Sequence, residues 1–339
     1  MDQPPVRRVL SCLVSYRDCE KIAKSIDYQL AIVMPAQTQV DVYVFDNSEN
    51  GKIQQKIQQI CKEKAVKLEI LPQNLGVSGA YAAATKIALE QNYDYLWLWD
   101  QDSHPPEDCL VHLMRTFDRE PEKQKKYRQI SSKGHTLLPL GVVLPKLFDP
   151  TLEDRHWIFF APPFDMTIMT KERFPMDMVE GGEVATTYMV NSGALINRQT
   201  LQQMGPPNPD FFMDLVDFEF ASRLTHAGIR MVMNADAVVI HSVGQPIQYR
   251  LLGRSLWARN YPIFRYYYQS KNEMLLAKAS SRPLWISFKS TLRLSLRPIK
   301  ILFDRDLQLK KIGAHFIGWF DGLRGIKGKS HAAWMAAKK

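Results

Sequence analysis

Two carboxylates, Asp100 and Asp102, stand at i and i+2 directly after the bulky run Tyr95-Leu96-Trp97-Leu98-Trp99. Acids so spaced at a strand end can converge on one divalent cation, and such a cation neutralises a diphosphate leaving group. The competing reading of Asp100-Gln101-Asp102-Ser103 is a surface turn whose Asp and Ser cap the next helix. A second acidic pair, Asp217-Phe218-Glu219, opens a helical pattern with Asp214 just before it. Acids at that place also complement the helix dipole without doing chemistry. His241 closes a short strand pattern, where a histidine either ligates or simply satisfies its own hydrogen bonds.

The elements that must hold these residues alternate along the first hundred residues. Val9 to Ser15 is an apolar run of the kind covered on both faces. Asp18 to Met34 reads as a helix closed by Pro35, and Val40 to Phe45 as a strand ending at Asp46-Asn47-Ser48. A helix over Lys52 to Lys64, a strand over Lys67 to Leu71 and a helix over Ser78 to Gln91 follow. Strand Tyr95 to Trp99 and a helix over Glu107 to Asp118 complete the set. This alternation predicts an α/β fold with a doubly wound, mostly parallel sheet. Ligands of such sheets bind at the carboxyl ends of the strands, where Ser15-Tyr16, Asp46, Asn74 and the Asp100 to Ser103 cluster fall. That placement raises the chemical reading of the two acids above the turn reading.

Further on, Pro121 to Lys133 reads as an exposed polar loop and Gly181-Gly182 as a turn. Tyr188 to Asn197 reads as one strand with a tight spot at Ser192-Gly193. Asp217 to Ala227 reads as a helix ended by Gly228, and Met231 to Met233 and Ala237 to Ile240 as two short strands leading to His241.

Composition narrows the class. The four cysteines form no CxxC pair and are too few for a disulfide framework, which suits a reducing compartment. The first residues lack the pattern of a signal peptide, and no stretch of 18 residues is apolar enough to span a bilayer, so a cytoplasmic protein is expected. The formal net charge of +9 is an average of two unlike parts. Residues 1–245 hold 25 Lys+Arg against 31 Asp+Glu, a net of −6, whereas residues 246–339 hold 19 against 4, a net of +15. This shift marks the expected boundary: a catalytic domain over 1–245 and a basic, aromatic-rich, mainly helical region over 246–339.

The motifs Ser15-Tyr16, Asp46-Asn47-Ser48, Asn74-Leu75-Gly76 and Asp100-Gln101-Asp102-Ser103 together resemble a family 2, GT-A type glycosyltransferase. The resemblance continues through Asn191-Ser192-Gly193, Phe211-Phe212-Met213-Asp214, Asp217-Phe218-Glu219 and His241, and covers about residues 8 to 245. The literal Asp-Gln-Asp-Ser is most similar to the bacterial rhamnosyltransferase subgroup, with galactofuranosyltransferases as relatives. The resemblance implies an inverting transfer that uses a nucleotide-sugar donor and Mg²⁺ or Mn²⁺. Ser15, Tyr16, Asp46, Asn74, Gly76, Asp100 and Gln101 would then bind the donor, with Asp46 accepting a hydrogen bond from the nucleobase. Asn74 and Gly76 would lie against the nucleotide. Asp102 would be the chief metal ligand, joined by His241 and by Asp100, the latter nearer the ribose or bound through water. Asp217 would be the general base, with Glu219 and Asp214 as alternates. L-rhamnose from dTDP-rhamnose is the expected donor sugar and a lipid-linked cell-surface glycan the acceptor. The alternatives are transfer from UDP-galactofuranose and a non-catalytic membrane-associated scaffold. Ala82 and Arg17 stand where relatives commonly have Asn, both on the donor side.

The basic tail interleaves its cations with Trp257, Tyr261, Phe264, Tyr266 to Tyr268, Trp285, Phe288, Phe303, Phe316, Trp319 and Phe320. Lys289, Arg293, Arg297 and Lys300 step by 4, 4 and 3, placing them on one face of a helix from Leu284 to Phe303 that Pro298 would kink or interrupt. Such a helix can lie on an anionic membrane. Packing against the catalytic domain or a second subunit, giving a homo-oligomer, and nucleic-acid binding are the other readings. The expectation is peripheral association with the cytoplasmic face of the plasma membrane and no nucleic acid. Arg265 to Asn272 resembles a stretch of the same family, with Lys271 where Arg is common, and would help hold the diphosphate or the acceptor.

Overall fold

The structure, a computed structural model, describes residues 5–130, 137–148, 156–157, 182–241, 247–251, 254–258, 261–280, 283–304 and 306–330. Gly181, the end of the expected loop at Lys133 and the expected domain boundary at Gln245 lie outside the described residues. In chain order the first elements are β1 (Arg7–Ser15), α1 (Cys19–Leu30), β2 (Thr38–Asp46), α2 (Gly51–Glu63), β3 (Lys67–Ile70) and α3 (Gly76–Glu90). Then come β4 (Tyr95–Asp100), β5 (Ser103–His104), α4 (Cys109–Asp118), α5 (Glu120–Ile130), β6 (Leu140–Phe148) and β7 (His156–Trp157). β8 (Glu183–Thr186), β9 (Leu195–Asn197), α6 (Arg198–Met204), α7 (Val216–His226) and β10 (Arg230–His241) complete the sheet-bearing part. A hairpin of β11 (Ile247–Leu251) and β12 (Arg254–Ala258) leads to three helices, α8 (Ile263–Ala279), α9 (Pro283–Ile301) and α10 (Gln308–Arg324).

The main sheet runs β3-β2-β1-β4-β9-β6-β10-β5, with β7 on β6 and β8 on β10. β1, β2, β3 and β4 pair in parallel, as do β6 and β10, whereas β9 is antiparallel to both of its neighbours. The apolar runs are covered on both faces, and the period of two sorts their side chains. Leu10, Cys12, Leu96 and Leu98 pack with α3, α6 and α7 on one face; Val9, Leu13, Trp97 and Trp99 pack with α1, α2 and α4 on the other.

Three local expectations are corrected. The polar segment expected as a loop is helix α5: Pro121 suits a first turn, Glu120 and Glu122 stand there, and Gln124 bonds back to Glu120. It lacked an apolar stripe, so periodicity missed it. The expected strand over Tyr188 to Asn197 is a turn followed by the short β9. Gly193 takes φ +84° there, and a Cβ on it would lie 2.5 Å from the Pro145 ring. The two short strands before His241 are one strand, β10, whose register on β6 shifts between Asn234 and Val238.

The tail folds back as a helical layer on the sheet-bearing part. α10 crosses α8 at very short range because Gly318 and Gly322 face it. A Cβ on either would meet the carbonyls of Tyr267 or Lys271 at 2.2 and 2.5 Å. α9 runs unbroken through Pro298 to Ile301. Two residues of its expected cationic face, Arg293 and Arg297, pair with the buried Glu273 of α8 at 2.7 and 2.9 Å, with Arg293 still exposed.

Candidate active site

Strand register assembles the carboxyl edge of the sheet. Ser15 of β1 stands opposite Asp46 of β2, and Val14 opposite Asp100 of β4. β5 then turns back and pairs with the end of β10, His241 opposite Ser103. This pairing brings His241 to the two acids from far along the chain. One ligand atom each from Asp100, Asp102 and His241 lies within 4.8 Å of the others.

The three groups are held differently. Asp100 is anchored, its Oδ1 accepting from the Tyr81 hydroxyl at 3.0 Å and its Oδ2 from the Ser192 hydroxyl. Burial and the adjacent Asp100 charge push the Tyr81 pKa far up, so it stays a donor. His241 has Nδ1 3.0 Å from the Ser103 hydroxyl, which leaves Nε2 as the outward nitrogen. Asp102 is the most open to solvent of the three. Its carboxyl is nevertheless raised above its usual value, first by desolvation and then by Asp100, with His241 and Lys21 opposing. Two hard carboxylates and one imidazole are a donor set that fits Mg²⁺ or Mn²⁺.

Beside this cluster, the expected donor residues divide. Asp46 is fully buried. Its Oδ1 accepts from the Ser48 amide at 3.1 Å and hydroxyl at 2.7 Å, the Asx-turn that competed with its binding role. Its Oδ2, and Ser15 Oγ beside it, reach no hydrogen-bond geometry with any group, although the Ser15 hydroxyl is close enough to ease the carboxyl's charge. Burial raises the Asp46 pKa overall. Two buried polar groups on adjacent strand ends, with little beyond each other to bond, are what a bound donor would engage. Tyr16 is exposed at the rim.

Gln101 has other work. Its Oε1 accepts from the Tyr16 amide at 2.9 Å and its Nε2 donates to the Tyr16 carbonyl at 3.3 Å, tying β1 to β4. Asn74 likewise closes a turn, accepting from the Gly76 amide at 2.9 Å. A close approach within the protein itself already requires glycine at 76. At φ +72° a Cβ would lie 2.1 Å from the Phe212 carbonyl oxygen.

Phe212 belongs to the segment that delivers the second acidic pair. Asp217 is half-buried in the first turn of α7, with Oδ1 accepting from the Phe218 amide at 2.9 Å. Burial, with Asp214 and Asp100 adding negative charge, raises its carboxyl to about 7. Glu219 is corrected from its role as alternate base. It is buried in a two-pronged pair with Arg223, at 2.6 and 3.2 Å, and also accepts from the Asn208 amide. Asp214 is gripped by Arg265 of α8, with Nη2 at 2.5 Å.

Sequence reasoning missed Tyr81 and Ser192 as the partners of Asp100, and the depth at which α8 enters the site. Lys271 of α8 is buried and donates to the Gly328 carbonyl at 2.5 Å, and burial lowers its pKa to about 8. Gly328 in turn donates to the Asp210 carbonyl. Lys329 pairs with Glu49, whose carboxylate accepts from the Asn74 amide.

Comparison with known proteins fits this geometry. Residues 13–141 match the family described as Glycosyl transferase family 2. The dTDP-rhamnosyl transferase RfbF of Shigella flexneri is 22% identical over 288 residues, covering 85% of this chain and 87% of that protein. The galactofuranosyltransferase GlfT1 of Mycobacterium tuberculosis is 23% identical over 240 residues, 70% of each. Among solved structures, the mannosyltransferase PcManGT from Pyrobaculum calidifontis, in complex with GDP-Man and Mn²⁺, superposes with a TM-score of 0.52. That match has 11% identity and covers 93% of this chain and 86% of that one, a likeness of fold. The chain thus carries a glycosyl transferase family 2 domain on a GT-A fold and is a glycosyltransferase.

Proposed function

We propose that this chain is a metal-assisted inverting transferase that moves L-rhamnose from dTDP-L-rhamnose to a lipid-linked cell-surface glycan. The observation that carries the reading is a cation-compatible trio with a separate carboxylate, Asp217, near enough to Asp100 to feel its charge and raised to about 7. A divalent ion held by Asp102, His241 and Asp100 would neutralise the diphosphate leaving group. Ser15 and Asp46 offer their unpaired oxygens to the nucleobase and ribose side of the donor. Asp217 takes the proton of the acceptor hydroxyl as that oxygen bonds to the anomeric carbon. The bond from that carbon to the diphosphate breaks and the nucleotide leaves. A carboxylate near neutrality suits this task, being deprotonated at working pH yet basic enough to accept a proton. The named rhamnosyl relative supports the choice of sugar, and the galactofuranosyl relative keeps UDP-galactofuranose as the second donor.

The helical layer supports a reading of the acceptor and of the place of work. Leu284, Trp285, Phe288, Leu292, Leu296 and Ile299 form an exposed apolar stripe along α9, and Leu309, Phe316 and Phe320 are exposed on α10. Exposed Lys300, Lys310 and Arg324 accompany this surface. Apolar helix faces accompanied by cations suit the surface of an anionic bilayer. No described helix is long and apolar enough to cross a membrane. We propose that the enzyme works on the cytoplasmic face of the plasma membrane, where a lipid-linked acceptor would meet it.

A panel of dTDP- and UDP-sugars with Mn²⁺, followed by thermal shift, tests the donor, because a ligand of the folded state raises its apparent stability. Stabilisation by a UDP-sugar alone would reject dTDP-rhamnose. Flotation with anionic against neutral vesicles tests the surface, and equal recovery from both would reject the anionic-membrane reading.

A further inference from the structure

Asp217 stands two residues beyond a backbone segment that is costly to hold. Phe212, Asp214 and Leu215 take φ of 61°, 57° and 59°, three of the eight non-glycine residues with positive φ among those described. Side chains rarely adopt this conformation, and it persists only where the surroundings enforce it. Two walls do so here. On one side α3 comes close enough for the Phe212 carbonyl to lie over Gly76 and to accept from the Ser78 amide at 3.3 Å. On the other side stands the wholly buried Asn272 of α8. Its Nδ2 donates to the carbonyls of Phe211 at 2.8 Å, Met213 at 2.6 Å and Asp214 at 2.9 Å. One amide nitrogen therefore serves three acceptors within four residues, so its two hydrogens are shared among them. Carbonyls only accept, which fixes the amide orientation, and Asn272 Oδ1 is left without a partner. The side chain is placed for what it donates.

We propose that Asn272 is a positioning residue for the general base, its amide locking residues 211–215 in the backbone conformation that aims Asp217 at the acceptor oxygen. The proposal rests on the reading of Asp217 as base. Arg265, two turns earlier on α8, supports the same segment from its side-chain end by holding Asp214. Removing the amide would leave the Met213 and Asp214 carbonyls unsatisfied against a buried helix, while the Phe211 carbonyl keeps the Met213 amide as donor. The segment would then relax toward ordinary dihedrals and carry α7's first turn with it.

The test uses the full chain with Mn²⁺ and hydrolysis of dTDP-L-rhamnose and UDP-galactofuranose, following whichever is turned over. Asn272→Ala, and the isosteric Asn272→Asp that keeps the shape but not the donor hydrogens, should each lower kcat about a hundredfold with donor KM unchanged. Their acidic pH limb should also move, because the groups that set it around Asp217, namely Asp214, Arg265, Asp100 and Tyr81, would be respaced. Tyr267→Phe is the control: it removes a bond to Asp321 within the helical layer without touching the segment. In the Asp217→Asn background, Asn272→Ala should have no further effect on kcat. Full turnover by Asn272→Asp overturns the proposal, as does a loss in Tyr267→Phe equal to that in Asn272→Ala. An undiminished effect of Asn272→Ala on Asp217→Asn overturns it as well. Wild-type turnover by Asp217→Asn alone overturns the base reading itself, so the two failures are told apart.

Discussion

The carboxyl edge of the sheet, proposed as the donor edge, and the helical layer meet at residues 211–215 but are built on opposite terms. At the donor edge, strand register does the placing. Ser15, Asp46 and Asp100 line up because parallel neighbours end together, and the β5–β10 pairing adds His241. In the helical layer nothing is periodic about the working contacts. Arg265 and Asn272 reach back more than fifty residues to grip the segment before α7. Charge shows the same divide. The acidic part gathers carboxylates that a cation would offset, whereas part of the basic tail's charge is consumed internally, Arg293 and Arg297 on Glu273 and Lys311 on Asp304. The tail's net of +15 already counts these acids, so it is the cations beyond such pairs that make the tail basic.

The largest effect should come from breaking the donor edge. Asp102→Ala is expected to reduce Mn²⁺-stimulated donor hydrolysis about a thousandfold, measured as nucleotide release against metal concentration. Undiminished stimulation would move the metal site elsewhere. Asp217→Asn, where the two regions meet, should cost about 10²- to 10⁴-fold in turnover while donor-induced thermal stabilisation survives. Its pH signature has a definite sign. The base must be deprotonated and its carboxyl sits at about 7, so the wild-type rate should rise with pH up to that point and then level. Asp214→Asn removes a raising charge and should shift the limb to lower pH.

A smaller effect separates the two acids of the Asp-x-Glu pair. Glu219→Gln should lower stability by about 1–3 kcal/mol in denaturant melts, since it weakens the bond to Arg223. Turnover of the folded enzyme should persist. A loss of activity matching that of Asp217→Asn would reverse the assignment. The mildest change lies in the helical layer, where Leu292→Ser should weaken binding to anionic vesicles about tenfold and leave hydrolysis in solution intact.

Much of the donor edge was legible because it depends on local signals. Apolar runs, strand ends and the Asp100 to Ser103 cluster are contiguous in sequence, and the two-period sorting of β1 and β4 follows from them. What residue type alone did not reveal is the structural task each residue also carries. Gln101 and Asn74 close backbone contacts at the carboxyl edge, and Gly76 gives room to the Phe212 carbonyl. The spacing of Lys289, Arg293, Arg297 and Lys300 was read correctly as one helical face, but spacing alone carries no direction. Only the buried Glu273 told which way two of them point.

The sequence by itself determined the α/β alternation, the acids at strand ends and the split in charge, because hydrophobic period and short-range spacing are written residue by residue. Tertiary structure alone decided which acid is held, which is paired away and which stands near neutrality. Those differences come from burial and from partners remote in sequence: Ser192 for Asp100, Arg223 for Glu219, and Asn272 for the segment that carries Asp217. Desolvation and long-range hydrogen bonds exist only once the chain has closed on itself, so no local pattern could have announced them.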